Sequence, residues 1–159
     1  MVSHVLPIPE GLGVPSSEDW PYVAVATLDE LAPGTMRRVS FGDLDLLLAH
    51  TDRGLCLTDD RCPHMAAPLS LGGLEGCLVA CPLHRGTFDL ASGEVVQFPT
   101  TGGLDADGAY HAPWQPEGSP ARPEPSDTKA RARALTRVRR LRYYPLRVVD
   151  GVIQARLPV

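Results

Sequence analysis

The sequence predicts an all-β protein of short antiparallel strands, on three observations. Sixteen prolines and fifteen glycines among 159 residues interrupt the chain too often for long helices. Between these breaks, apolar runs of strand length recur, some alternating with polar residues and some continuous. Thr51-Asp52-Arg53-Gly54 and Asp150-Gly151 stand between such runs and carry the residue types that hairpin turns require. Hydrophobic residues at 43% and charged residues at 21% are globular proportions, which argue for a packed core and against wholesale disorder. The length fits one domain with an appendage and excludes a large multidomain enzyme.

Residues 1–19 are proline-rich and unpatterned, an irregular N-terminal arm that either frays or wraps the domain, with no function expected in it. The domain proper is expected over 20–159. Tyr22 to Ala26 is a short strand, Leu28 to Leu31 a helical turn and Pro33-Gly34 a tight turn. Thr35 to Phe41, Asp43 to His50 and Leu55 to Thr58 form a meander, the last two joined through Thr51 to Gly54. From Asp59 the regularity stops. Prolines at 63, 68 and 82 and glycines at 72, 73, 76 and 86 delimit two loops around one apolar strand, Cys77 to Ala80, and loops held on a rigid sheet are where chemistry concentrates.

Thr87 to Leu90 and Glu94 to Phe98 restore the strand pattern around a turn at Ala91-Ser92-Gly93. Residues 100–126 contain five prolines and four glycines, a linker composition. Tyr110 and Trp114 within them argue for partial docking onto the core. Thr128 to Arg142 holds seven basic residues without glycine or proline and fits either a helix or an edge strand. Tyr144 to Val149 and Val152 to Leu157 close the chain as a hairpin.

The net charge of -4 hides an asymmetry: up to Asp127 there are 18 acidic and 6 basic residues, and after it 1 acidic and 9 basic. The basic stretch either docks a partner or lies on the chain's own acidic surface. The acidic remainder makes nucleic acid an unfavoured partner. No apolar run approaches a membrane span, and Met1 to Glu10 lacks the basic and apolar regions of a secretion signal. The expectation is a cytoplasmic protein without a membrane partner. Four cysteines in such a chain point to reduced thiols or metal ligands, not to a disulfide framework.

Cys62-Pro63-His64 and Cys81-Pro82-Leu83-His84 place one thiol and one imidazole in each of the two loops. Structural zinc sites more often pair two cysteines and then two histidines, or use cysteines alone. The alternation Cys, His, Cys, His suits a binuclear centre with both thiolates on one iron and both imidazoles on the other. Neutral imidazoles in place of thiolates make such a centre less negative and raise its reduction potential. Cys56, between two leucines on a strand, fits a small hydrophobe, and Cys77 a surface-near, oxidisable thiol; neither is expected to bind metal. His4, His50 and His111 lie scattered over arm, strand and excursion and are expected to pack or face solvent.

With Arg61-Cys62-Pro63-His64 followed by Ala67-Pro68-Leu69, and Cys81-Pro82-Leu83-His84 followed by Gly86, Phe88-Asp89 and Ser92-Gly93, the chain resembles the Rieske [2Fe-2S] proteins. It is most similar to the small Rieske-type ferredoxins of oxygenase systems. The likeness runs from about Asp19 to Pro99 and resumes from about Leu141 to Leu157. It implies an all-β Rieske-type fold with a two-loop cluster-binding subdomain at about 59–90. It also implies Cys62 and Cys81 on the buried iron, and His64 and His84 on the outer one.

Ala67 and Leu83 stand where Rieske proteins of cytochrome bc complexes have a disulfide, and Gly86 and Phe88 where those proteins have a Ser and a Tyr hydroxyl. Fewer donors to the cluster imply a potential low in the Rieske range, on the order of -150 mV. The His64 and His84 edge is the expected electron exit. Met65, Leu69 and Leu83 either form a docking collar around it or merely shield the cluster. About residues 100–140 the resemblance says nothing. Arg131, Arg133, Arg137, Arg139, Arg140 and Arg142 either dock a partner or pair internally.

The function implied is that of a one-electron carrier between a flavin-containing reductase and a terminal oxygenase, itself no enzyme. The alternative is a non-shuttling Rieske-like subunit of a reductase complex, of the nitrite-reductase small-subunit type.

Overall fold

Leu46, Leu47, Leu48 and Ala49 are all fully buried, although neighbouring residues on a strand point to opposite faces. The strand that carries them is covered on both sides, which explains a continuous apolar run where a half-buried strand would alternate. In the computed structural model, which describes residues 4–120, 128, 131–132 and 135–158, this strand divides two cores. Leu46 and Leu48 join Val39, Leu55, Leu57, Ile153, Ala155 and Leu157 on one side. Leu47 and Ala49 join Cys56, Leu69, Val79, Phe88, Leu90 and Tyr143 on the other.

The first core lies between two three-stranded antiparallel sheets. One is the meander of β2 (Met36–Phe41), β3 (Leu44–His50) and β4 (Leu55–Asp59). In the other, β12 (Val152–Arg156) is flanked by β1 (Tyr22–Thr27) and β11 (Leu146–Val149), so the first strand pairs with the last. Asp150 (φ 49°) and Gly151 (φ 77°) turn β11 into β12 with Val149 opposite Val152, the two-residue hairpin that needs left-handed backbone at both positions.

The second core supports a four-stranded antiparallel sheet of short strands in chain order: β5 (Gly73–Glu75), β6 (Leu78–Ala80), β7 (Thr87–Asp89) and β8 (Val95–Gln97). Its two long connections are the predicted loops, β4 to β5 and β6 to β7. Cys77 lies 8% exposed in this core. The expectation of a surface-near thiol is corrected, because Cys77, just before β6, packs into this core and its carbonyl accepts from Leu90 N (2.8 Å). Burial raises the Cys77 pKa.

The arm wraps; Val5 bridges Leu55 and Gly13 bridges Tyr143, with Leu6 and Val14 buried. At Gly54 a Cβ would stand 2.6 Å from the His4 carbonyl oxygen, so only glycine lets the arm pass. His50 Nδ1 donates to Leu31 O, 2.9 Å away.

The excursion after Pro99 forms a small hairpin, β9 (Gly103–Leu104) with β10 (Tyr110–His111). It docks through Phe98 stacked on His111 at 4.1 Å and through Val138, fully buried. Tyr110 and Trp114, expected to pack, are 55% and 64% exposed, because this hairpin is too short to bury both of its faces. Thr128, Arg131 and Ala132 are helical, and Arg137 then bridges Leu104. Both predicted alternatives for the basic stretch are met in part. Arg133 lies outside the described residues.

Candidate metal centre

The two loops are built alike. In the first, Cys62 N donates to Ala67 O (2.8 Å), and in the second Cys81 N donates to Gly86 O (2.8 Å). Each loop closes on the residue five beyond its cysteine. Four beyond each cysteine stands a non-glycine residue in left-handed backbone, Ala66 (φ 60°) and Arg85 (φ 58°), a conformation that costs of order 1–3 kcal/mol and concentrates at functional sites. The conformation turns each chain back sharply enough to aim a thiol and an imidazole the same way.

Cys62 and Cys81 are each 4% exposed and close enough for a thiol–thiol hydrogen bond. The His64 and His84 rings meet edge to face, centroids 5.1 Å apart. The thiols of Cys62 and Cys81 thus pair inside, and the imidazoles of His64, buried, and His84, half-buried, meet each other. Burial pushes the Cys62 thiol up to about 12, against the backbone N–H groups of His64 and Met65, which donate to it. Burial, then the neighbouring His84, lowers the His64 pKa. Neutral imidazole is the form that would ligate a metal, and binding would displace the thiol protons.

Supports for the loops come from residues that motif reading does not single out. The buried Asp60 carboxylate accepts from Ser70 N (2.7 Å) and Ser70 Oγ (2.6 Å) and faces Arg38 Nε at 3.4 Å, which pins the base of the first loop to β2. The segment from Arg139 to Tyr144 ties the first loop to β4 and to the turn between β7 and β8. Arg139 N donates to Pro63 O (3.2 Å) and Leu141 N to Gly93 O (3.3 Å). Tyr143 Oη donates to Leu90 O (2.6 Å), and Tyr144 Oη to Asp59 Oδ1 (2.8 Å). Thr101 Oγ1 lies 3.3 Å from His64 Nε2. No motif in the sequence points to these supports; Thr101 and Asp60 meet their partners through the fold alone.

The expected collar is partly corrected. Met65 (48% exposed) and Leu83 (60%) stand at the edge, but Leu69 is fully buried, because the 3-10 turn at Leu69–Leu71 rotates it into the core.

Residues 21–107, more than half of the chain, match the model of the Rieske [2Fe-2S] domain. The chain belongs to that family. The ferredoxin component of the naphthalene 1,2-dioxygenase/salicylate 5-hydroxylase systems of Ralstonia sp is 33% identical to this Rieske protein over 85 residues, 54% of this chain and 80% of that one. The 3-phenylpropionate/cinnamic acid dioxygenase ferredoxin subunit of Photorhabdus laumondii is 40% identical over 78 residues, 48% and 73% of the two chains. The fold is also that of the Sphingomonas yanoikuyae B1 ferredoxin, with a TM-score of 0.57 and 19% identity over 87% of this chain and all of that one.

The cofactor of this Rieske protein is a [2Fe-2S] cluster, and the donor set fits it. Two adjacent thiols and two adjacent imidazoles match two irons with two protein ligands each. None of the four cysteines is in a disulfide, and Ala67 and Leu83 put no further cysteine in the cluster loops. No helix among the described residues is long and apolar enough to cross a membrane.

Proposed function

We propose that this Rieske protein is a one-electron carrier that takes electrons from a flavin-containing reductase and delivers them to a terminal oxygenase. Cys62 and Cys81 would hold the inner iron, His64 and His84 the outer one. The observation that carries this reading is the convergence of four donors, sorted by type, from two loops of the same design. The relatives named as ferredoxin components of dioxygenase systems support the oxygenase as acceptor.

Once bound, the cluster supplies a centre that gains and loses a single electron. The protein's part is to set its surroundings. The buried thiols of Cys62 and Cys81 would keep water from the iron they hold, and the half-buried His84 would bring the other iron toward the molecular edge. Gly86 and Phe88 offer no hydroxyl to the cluster. Without those donors the reduced, more negative state is less stabilised, and the potential falls in the lower Rieske range, on the order of -150 mV.

The deciding measurement is electron paramagnetic resonance of the dithionite-reduced protein with iron and sulfide counted on the same sample. The expected result is a rhombic signal of low average g with two irons per chain, lost in Cys62→Ser and in His84→Ala. A silent sample holding zinc would overturn the reading.

A further inference from the structure

A shallow groove of about 260 Å³ runs beside the first cluster loop, lined by Arg61, Cys62, His64, Met65, Arg139 and Arg142 among others. It exists because the end of the basic stretch is laid against that loop through Arg139 N and Pro63 O. The charges along it are unevenly compensated. Arg140 is paired with Glu94 (2.7 Å) and Asp107 (3.3 Å), and Arg142 lies 3.7 Å from Asp59. Arg61 and Arg139, both exposed, form no ion pair among the described residues, and neither does Arg85, exposed next to His84. Met65 and Leu83 stand exposed at the same edge.

The edge is also one-sided. His64 is 8% exposed with Thr101 against its Nε2, whereas His84 is half-buried. The rim thus has two flanks, Arg61, Met65 and Arg139 in the groove beside His64 and the exposed Leu83 and Arg85 that adjoin His84 in sequence, joined where the two imidazole rings meet at 5.1 Å. The whole chain carries a net charge of -4, so a negatively charged surface is repelled by the molecule at large and attracted at this rim. Local attraction inside overall repulsion orients an approaching partner and raises productive encounters by tenfold or more at low salt.

We propose that this rim is the docking surface for a redox partner with an acidic face. Arg139, supplied by the basic stretch, and Arg61 are its principal charges, and the electron passes at the His84 side. The proposal rests on the cluster reading above and names the kind of partner that reading leaves open.

The test uses reduced holoprotein in stopped flow with probes of opposite charge: ferricyanide and cobalt(III) hexaammine as small oxidants, an acidic cytochrome b5 and a basic cytochrome c as protein oxidants. Oxidation by ferricyanide and by the acidic cytochrome is expected to slow as salt rises. Arg61→Glu combined with Arg139→Glu is expected to lower both rates at low salt by about tenfold or more and to reverse their salt dependence. The paramagnetic signal of the variant, recorded on the same samples, is expected to be unchanged, and its midpoint potential, which the added negative charge lowers, is measured so that rates are compared at equal driving force.

A wild-type rate with the negative probes that rises with salt, following the net charge, would overturn the proposal. So would equal rates in wild type and variant, or salt-sensitive binding of a labelled oligonucleotide that the double variant abolishes while the cytochrome rates stay the same. A missing cluster signal in wild type would instead sink the cluster reading, and is told apart by the spectrum. Arg139→Gln alone, which removes one charge and keeps the backbone bond to Pro63, is expected to give an intermediate rate.

Discussion

Thr101 is the side chain through which the excursion reaches the ligand set. With Nε2 of His64 beside Thr101, Nδ1 would be the nitrogen available to an iron, and Nε2 would then carry the proton and donate to the threonine oxygen. A ligating imidazole that donates in this way is a more basic ligand and favours the oxidised state. Thr101→Val is therefore expected to raise the midpoint potential by ~20–60 mV, the equivalent of a hydrogen bond of about 0.5–1.5 kcal/mol, while Thr101→Ser stays near wild type; film voltammetry reads both. Phe88 gives a second handle. Its ring tip lies 3.4–3.5 Å from where a Cβ on Gly86 would be, so the hydroxyl of Phe88→Tyr would emerge at the base of the second loop. A rise of ~40 mV is expected for about 1 kcal/mol of stabilisation of the reduced state. Gly86→Ser is the poorer route, because its Cβ would sit 3.1 Å from Pro99 Cγ.

Among the elements, the first loop depends on a buried carboxylate. Asp60→Ala strips the Ser70 amide and hydroxyl of their acceptor, at a cost of about 2 kcal/mol, which denaturant unfolding would register together with faster cluster loss. The β9–β10 hairpin depends on Asp105, whose Oδ1 accepts from Asp107 N and Ala109 N at 2.9 Å each and whose Oδ2 meets His111 at 3.0 Å. The His111 bond, then the backbone donors, lowers the Asp105 pKa. A depressed pKa stabilises the fold above the carboxylate's ordinary value of about 4 and ceases to as pH falls through the folded value. Hydrogen exchange at Ala109 is thus expected to quicken below about pH 4 and to do so at higher pH in His111→Ala.

Legibility in the sequence followed the range of the interactions. Hairpin turns, the meander and the two loops are local, and Asp150-Gly151 or Cys62-Pro63-His64 announce them. Leu69 was misjudged because a motif neighbour of the ligands can point inward, which only the rotation of a 3-10 turn decides. Trp114 was misjudged because composition cannot say how much surface a short hairpin covers. Asp60 to Arg38 and Thr101 to His64 span too many residues for any periodicity to register.

At the scale of the molecule, β3 and β4 face both cores, so the cluster sheet is carried by a scaffold that contains no ligand. Iron removal with a chelator is expected to loosen residues 60–90 while sparing β1, β11 and β12. Backbone exchange followed by mass spectrometry would record the contrast, and equal loss of protection in both halves would refute it. The binding free energy of the metal centre acts as local folding energy for the loops, and the β1-β12-β11 sheet, packed on its own core, does not draw on it.

The covering of His64 has one more effect. When charge at a redox centre changes, nearby water dipoles must turn, and that turning is part of the barrier to each transfer. A rim with one imidazole shut behind a threonine and the other open gives fewer waters to reorient than two exposed rings would, while fixed protein dipoles such as the Thr101 hydroxyl need little rearrangement. The excursion that sets this chain apart thus lowers the reorganisation energy on one flank and keeps a single doorway for the electron on the other.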